Sequence, residues 1–287
     1  MIDFRYHAMS LVAVFVALAV GLLLGVTIGD TNLLASVQGN LEESLKQDVN
    51  EARQEASDSR DAIERQNDFI ASAYPQLVAQ RLDNQRVATI GSADTAQETL
   101  RSVSRAVEPA GADVRYIAQL LEKPQYKKIA SALDVADLLE GDELTPRQTD
   151  QLGRAVGRRL ARGRDRATMR RLVFSRLSGD IVRVRLVAYA RQVPEGTDIV
   201  SAEWKLFDGF ERGVVAGLTQ QVERVSGVEE STTEPTNIEW YNSLGLSTVD
   251  DIQEFAGFYS LVQIFDGAKG DYGTKRSAEA IVPQVAR

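Results

Sequence analysis

Hydrophobic and polar positions divide the chain into three parts with different patterns. Residues 8–29 read AMSLVAVFVALAVGLLLGVTIG and contain no charged side chain. At ~1.5 Å rise per residue this run would span ~30 Å, the thickness of the hydrocarbon core of a bilayer. The pattern predicts a transmembrane helix at 8–29, preceded by a short N-terminal segment at 1–7. A cleaved signal peptide is the alternative, but its apolar region is normally only ~7–15 residues long.

A line of small residues runs through this apolar segment at every fourth position. Its members are Ala13, Ala17, Gly21, Gly25 and Gly29. Small side chains at this spacing allow two membrane helices to approach closely, as in GxxxG motifs. The line therefore predicts self-association, with a chance arrangement of the common membrane residues Gly and Ala as the alternative.

The charges that flank the apolar segment predict its orientation. Arg5 precedes the segment, whereas the first lysine or arginine after it is Lys46. By the positive-inside rule, the N-terminus lies in the cytoplasm and the rest of the chain outside it. We therefore predict a single-pass membrane protein of the cell envelope.

Residues 30–82 are predicted to form a helical coiled-coil stalk. Apolar and small residues recur there at steps of three and four between Leu45 and Ile70, which is typical of a coiled-coil seam. The stretch 42–68 is otherwise charged and contains neither glycine nor proline. Pro75 marks a kink or an ending near the far end of this helix.

Residues 83–287 alternate between strand and helix patterns. The strands RVATIG (86–91) and ADVRYIAQL (112–120) flank an amphipathic helix of about fifteen residues, a βαβ unit that implies a parallel pair. Further strands are predicted at 181–190, 223–230 and 246–252, and further helices at 201–222 and 256–270. The fold class is thus a three-layer α/β domain, roughly flavodoxin-like, whose strand order the pattern leaves open.

A basic helical insert interrupts this alternation at about 122–178. From Arg147 to Arg185 the chain has twelve arginines and three aspartates, a net charge of +9. Such a segment could contact anionic lipid headgroups or an acidic partner. The alternative is a solvated helical surface that balances the acidic remainder of the chain.

The composition excludes several kinds of chemistry. The 287-residue chain has no cysteine, which excludes disulfides and thiolate sites, and a net charge of −8, which argues against nucleic acid as a partner. No Ser/His/Asp, GxSxG or HExxH arrangement occurs, so we predict neither an enzyme nor a bound cofactor. The candidate ligands for a soft metal are Met1, His7, Met9 and Met169. They do not cluster, so they do not define a copper site.

Two strand ends form the candidate ligand cleft, since doubly wound folds bind ligands at the carboxyl ends of their strands. The cleft residues are Gly91, Ser92 and Asp94 in IGSADTA, and Ser247, Thr248 and Asp250 in GLSTVDDI. Helix capping by Ser92 and Asp94 is the alternative for the first turn. A hard cation at Asp250 and Asp251 is disfavoured, because adjacent residues on a strand point in opposite directions.

Two segments resemble the MctB family, actinobacterial envelope proteins named for copper transport and described as channel-forming in the outer membrane. They are FRYHAMSLVAVFVALAVGLLLG (4–25) and GLSTVDDIQEFAGFYSLVQIFDGAKGDYG (245–273). The resemblance implies copper transport or copper homeostasis by a membrane-anchored homo-oligomer. The alternative is a non-conducting scaffold, or a stalked binding module whose α/β domain docks an envelope protein partner.

Overall fold

The computed structural model describes residues 4–28, 31–139, 141 and 143–284. The chain divides into two compact units, Met1–Asp68 and Phe69–Arg287. Each unit is built from segments whose boundaries follow the hydrophobic pattern of the sequence.

The first unit is helical. Helix α1 covers Phe4–Ile28, and α2 covers Thr31–Val78, of which the part up to Asp68 belongs to this unit. Within the part of the chain that the structure describes, no helix has both the length and the apolar character needed to cross a membrane. The transmembrane helix predicted at 8–29 is therefore not supported. The junction between predicted anchor and stalk, including Gly29, lies outside the described residues.

The second unit contains a seven-stranded sheet. Its strands are β1 (Arg86–Gly91), β2 (Asp113–Leu120), β3 (Phe174–Gly179), β4 (Leu186–Ala190), β5 (Arg224–Val228), β6 (Ser247–Val249) and β7 (Asp271–Tyr272). They lie in the order β3-β2-β1-β4-β5-β6-β7, and each neighbouring pair is parallel except β2 and β3. Without the antiparallel β3, the first five parallel strands follow the 2-1-3-4-5 order of flavodoxin-like folds.

Helices cover both faces of the sheet, so the predicted three-layer α/β arrangement is confirmed. The helices are α3 (Gln97–Val107), α4 (Tyr126–Ala132), α5 (Pro146–Ala161), α6 (Arg166–Thr168), α7 (Ala202–Thr219), α8 (Ile238–Asn242) and α9 (Phe255–Asp266). One apolar core contains residues of α4, α5 and α7, and the other contains residues of α3, α9 and the end of α2. In that second core the Tyr74 hydroxyl donates to the Ala106 carbonyl at 2.7 Å. Helix α2 ends at Val78, three residues after Pro75.

Helices α5 and α7 pack unusually closely because glycines line their contact. A Cβ atom on Gly157 would lie 2.1 Å from the Val214 carbonyl oxygen, and one on Gly213 would lie 2.0 Å from the Asp150 carbonyl oxygen. Neither contact is possible for a real side chain, so the helix backbones touch only where glycine is present. This contact fixes the position of α7, which carries several residues of the site described below.

The basic insert differs from its prediction. Besides helices it contains β3, an antiparallel edge strand whose side chains are largely exposed. The strand predicted at 181–190 begins only at Leu186, because the preceding backbone bonds elsewhere: Val184 N–H donates to Ala161 O and Arg185 N–H donates to Arg86 O. An exposed edge strand needs no apolar alternation, so the sequence pattern did not indicate it.

Candidate functional site

The candidate site lies at the carboxyl ends of β1 and β4, where the strand order reverses direction. The turn after β1 is tied to the end of β4 by Ser92, whose N–H donates to Ala190 O at 2.8 Å. The Ser92 hydroxyl donates to Gln192 O at 3.1 Å and accepts from Gln192 N–H at 2.8 Å. Thr95 Oγ1 also donates to Ala190 O, at 3.0 Å. These bonds hold the two loops at a fixed separation, at the position where α/β folds form ligand crevices.

A cleft of about 200 Å³ opens beside these loops. We call it the carboxyl-edge cleft; it is lined by Ala93, Glu122, Lys123, Gln192, Pro194, Thr197, Asp198, Ser201, Glu203, Trp204 and Phe207. Three carboxylates and one ammonium group give the lining a net negative charge. Lys123 Nζ lies 3.4 Å from Glu203 Oε1, and both side chains are exposed. The aromatic rings and carboxylates together suit a small polar or cationic ligand.

Behind the cleft, Arg191 is the centre of a buried polar network. Its guanidinium donates to Glu211 Oε2 at 3.1 Å, to Asp208 Oδ1 at 2.9 Å and to Asn237 Oδ1 at 3.0 Å. The same group lies 5.4 Å from the ring centre of Trp204. Trp204 also lines the cleft, so its ring is next to both the network and the ligand space.

Burial and neighbouring charges shift the pKa of Glu211, and likewise that of Arg191, in opposite directions. Burial raises the pKa of Glu211 above its ordinary value, although Arg191 and the Tyr189 hydroxyl hydrogen bond oppose the shift. Burial also tends to lower the pKa of Arg191, but the carboxylates of Glu211 and Asp208 overcome it and the pKa is raised. Arg191 therefore stays charged, and its Nε lies 3.1 Å from Glu211 Oε2.

Asn237 extends the network from β4 to the end of β5. Its Nδ2 donates to Arg191 O at 3.1 Å, and its backbone N–H donates to Glu229 Oε2 at 2.7 Å. Glu229 is fully buried, and its Oε1 accepts from Lys275 Nζ at 2.5 Å and from Thr236 Oγ1 at 2.6 Å. Charged groups at three strand ends are thus joined in one chain of hydrogen bonds, which makes this edge of the sheet rigid.

The first half of the predicted cleft is adjacent to the observed one. Gly91 and Ser92 are buried, and Ser92 links the loop after β1 to the loop after β4 through its hydrogen bonds. Asp94 is exposed, and the N-cap position of α3 is Ala96, with no side-chain capping bond. Helix capping by Ser92 or Asp94 is therefore wrong, because the helix begins later than the turn pattern suggested.

The second half of the predicted cleft lies elsewhere on the same edge. Strands β4 and β5 separate β1 from β6, so the structure does not bring the two predicted halves together. Asp250 Oδ1 accepts from Thr274 N–H at 2.7 Å, and Thr248 Oγ1 donates to Asp271 Oδ1 at 2.7 Å. Ser247 Oγ accepts from Gly270 N–H at 3.2 Å. These three side chains fasten the C-terminal loop to β6.

Where the structure describes it, the predicted packing line on α1 faces open space. A Cβ atom on Gly21 or Gly25 would meet nothing within 4 Å, and Ala13 and Ala17 are exposed. Gly29 lies outside the described residues.

The candidate soft-metal ligands do not converge. Met9 is 79 % exposed, whereas Met169 is fully buried in the sheet core. Met1 and the His7 side chain fall outside the described part. Among the described residues, no group of three or more His, Cys, Asp or Glu side chains could hold a metal ion.

The sequence pattern did not identify Arg191, Glu229, Asn237 or Trp204 as residues of the site. A signal was present for two of them. Both Arg191 and Glu229 directly follow a buried strand, in LVAYA-R and RVSGV-E. Ionisable residues at the carboxyl ends of parallel strands are expected to meet at one edge of a sheet.

Comparison with known proteins identifies the family to which the chain belongs. The family model described as "Copper transport outer membrane protein, MctB" matches residues 1–283. The chain belongs to the MctB family. It is also similar to proteins named "Copper transporter MctB" from Mycobacterium bovis and from two strains of Mycobacterium tuberculosis, with 29 % identity over 159 residues. That match covers 53 % of this chain and 49 % of each relative, so the chain spans about half the length of the curated relatives it matches.

Proposed function

We propose that this MctB-family protein takes part in copper transport at the cell envelope, with copper as its cargo. The match of the family model to residues 1–283 carries the proposal. The names of the mycobacterial relatives support it. In this proposal the α/β unit has no catalytic role.

We further propose that α1 associates with a lipid membrane and with other copies of itself. Nine large apolar side chains between residues 9 and 22 are between 49 % and 79 % exposed: Met9, Leu11, Val12, Val14, Phe15, Val16, Leu18, Val20 and Leu22. Exposed apolar surface of this extent is unfavourable in water and marks a site of association. The small-residue line leaves room for a second helix at Gly21 and Gly25.

The predicted coiled coil of α2 fits the same assembly. Leu45, Val49 and Ile63 are 54 %, 47 % and 57 % exposed in the single chain. A second copy of the helix would cover these side chains. Arg5 before the apolar segment supports a cytoplasmic N-terminus, with the α/β unit on the outer side.

The experiment is copper transport by the full-length protein in liposomes. Vesicles loaded with a copper-sensitive dye would contain the parent protein or the Gly21→Leu/Gly25→Leu variant, whose larger side chains block close approach of helices. We expect copper entry with the parent and loss of at least tenfold in rate with the variant. Ala13→Leu on its own, at the start of the line, is the graded control.

Membrane topology and assembly are tested in whole cells that express the same proteins. Protease added outside whole cells is expected to cut the α/β unit and to spare an N-terminal tag. Cross-linking is expected to give oligomers that the double variant lacks. A correctly folded, oligomeric protein that moves no copper would contradict the transport proposal.

The carboxyl-edge cleft favours one alternative, a non-conducting envelope module that binds a ligand or a protein partner. Its aromatic wall at Trp204 is held in place by Arg191. This alternative predicts no copper movement and a stable partner in pull-downs from the native envelope, lost with Trp204→Ala. Retention of that partner by Trp204→Ala would count against the cleft as its binding site.

A further inference from the structure

The opposite edge of the sheet contains a second cavity with different chemistry. It has a volume of about 480 Å³ and lies where β1, β4 and β5 begin. We call it the amino-edge pocket; its lining is Asn84, Arg86, Arg183, Val184, Arg185, Gln220, Gln221, Val222 and Glu223. Three arginines face one carboxylate, so the lining carries a net charge of +2.

Two of these arginines are neighbours across the sheet. Val87 is paired with Leu186 in the parallel register, which places Arg86 beside Arg185, and Arg185 N–H donates to Arg86 O at 2.9 Å. Like charges on adjacent strands destabilise a sheet unless something offsets them. Arg185 is offset by Glu223, whose Oε1 accepts from its Nε at 2.6 Å and also from its Nη2.

The other two arginines have no such compensation. Arg86 and Arg183 are exposed, and within the described parts of the chain neither side chain has a hydrogen-bond or ion-pair partner. Arg183 is held in place through its backbone, which forms an antiparallel bridge with Arg162. Two unpaired guanidinium groups, and a third that is paired with Glu223, therefore line one cavity.

The neutral lining is equally suited to an oxygen-rich anion. Asn84, Gln220 and Gln221 supply amide groups, and Arg162 Nε donates to Gln221 Oε1 at 2.9 Å, which orients that amide. A guanidinium presents paired N–H donors that match the oxygens of a phosphate group. A single inorganic ion would fill only part of a cavity of this volume.

We propose that the amino-edge pocket binds a phosphate group, carried either by a small soluble phosphate compound or by a lipid headgroup. Arg86 and Arg183 bind its oxygens directly, and Arg185 with Glu223 forms one wall. This site is on the opposite edge of the sheet from the carboxyl-edge cleft and does not depend on the copper proposal.

The test is isothermal titration calorimetry of the full-length protein in a non-ionic detergent at constant chloride concentration. The probes are inorganic phosphate, inorganic pyrophosphate, citrate as a carboxylate comparison, and dioctanoyl phosphatidic acid in the detergent micelles. The variants are Arg86→Gln and Arg183→Gln, and the matched control is Arg170→Gln, an exposed arginine of the basic insert that does not line the pocket.

We expect saturable binding of pyrophosphate that weakens at least tenfold in Arg86→Gln and Arg183→Gln and less than twofold in Arg170→Gln. Tighter binding of phosphatidic acid, with the same arginine dependence, would assign the pocket to a lipid headgroup. Tighter binding of pyrophosphate would assign it to a soluble phosphate compound. The absence of saturable binding, a stronger response to citrate, or an equal loss in all three variants would overturn the proposal.

Discussion

Replacement of Gly213 by alanine tests whether the glycine contact between α5 and α7 is required for the fold. The added Cβ atom would lie 2.0 Å from the Asp150 carbonyl oxygen, whereas ordinary contacts begin near 3.4 Å. The shortfall is about 1.4 Å. Because the blocking atom belongs to the backbone, only a movement of one helix can relieve it.

Two effects of opposite sign determine the magnitude. Alanine favours the helix over glycine by ~1 kcal/mol, whereas overpacking in a close-packed core costs typically ~1–3 kcal/mol and occasionally more. A shift of about 1.4 Å is roughly a sixth of an interhelical distance of ~8–10 Å, which a close-packed pair of helices cannot absorb locally, so we place the overpacking cost at the upper end. We expect a net loss of ~2 kcal/mol in the free energy of unfolding, which corresponds to ~4–8 °C in melting temperature.

Urea unfolding followed by tryptophan emission measures this loss. The chain has only two tryptophans, Trp204 and Trp240, and both lie in the second unit, so the signal reports that unit alone. The matched control is Ala216→Gly on the same helix, where the side chain is half-buried and only helix propensity changes. Both variants should be less stable than the parent, although one replaces glycine by alanine and the other replaces alanine by glycine. A Gly213→Ala protein as stable as the parent, or more so, would refute the steric reasoning.

Four further substitutions, in three predictions, test the polar groups of the second unit by the same urea assay. Arg191→Met leaves the carboxylate of Glu211 buried without its cation and should cost ~3–5 kcal/mol, and Arg191→Met/Glu211→Gln should recover part of that loss; equal losses would contradict the pairing. Burial, followed by the neighbouring acidic groups, raises the pKa of Asp251 to about 7 from 3.8. The folded state therefore keeps a proton that the unfolded state releases near pH 4, and the free energy of unfolding should fall by up to ~1.4 kcal/mol per pH unit between these values. Asp251→Asn should abolish this dependence of the unfolding free energy on pH and should be more stable than the parent at pH 8. An unchanged pH dependence in the variant would contradict the raised pKa of Asp251. Lys123→Ala removes an exposed ion pair and should change stability by less than ~1 kcal/mol; a larger loss would show that the Lys123–Glu203 pair is structural.

The sequence was sufficient to predict elements that are buried and that have a regular hydrophobic pattern. Strand β1 covers the predicted residues 86–91 without any difference, because it is buried from Val87 to Gly91 and a helix with a regular apolar face follows it. Helix α2 ends within four residues of the predicted boundary at 82. The antiparallel β3 and the two-residue β7 were not predicted, since β3 is largely exposed and β7 is too short to produce a pattern.

The candidate site could be predicted only in part, because its contacts depend on strand order. Arg191 meets Asn237, 46 residues later in the chain, only because β4 and β5 are neighbours and α8 returns to their shared edge. Local patterns do not contain this information. The prediction therefore found the turn after β1 but joined it to β6, which lies two strands too far away.

The two edges of the sheet differ in charge, and this difference constrains how the second unit can act. The carboxyl-edge cleft has three carboxylates and one lysine, whereas the amino-edge pocket has three arginines and one glutamate. A cationic ligand is therefore attracted to the first and repelled by the second, and an anionic ligand behaves in the opposite way. Suppose that Arg183→Gln weakens phosphate binding but leaves the rate of copper movement unchanged. The amino-edge pocket would then serve attachment of the protein or its regulation. If Arg183→Gln abolished both phosphate binding and copper movement, occupation of this pocket would be a condition of transport. Arg183 is remote in sequence from the small-residue line of α1, so a direct effect of the substitution on that line is not expected.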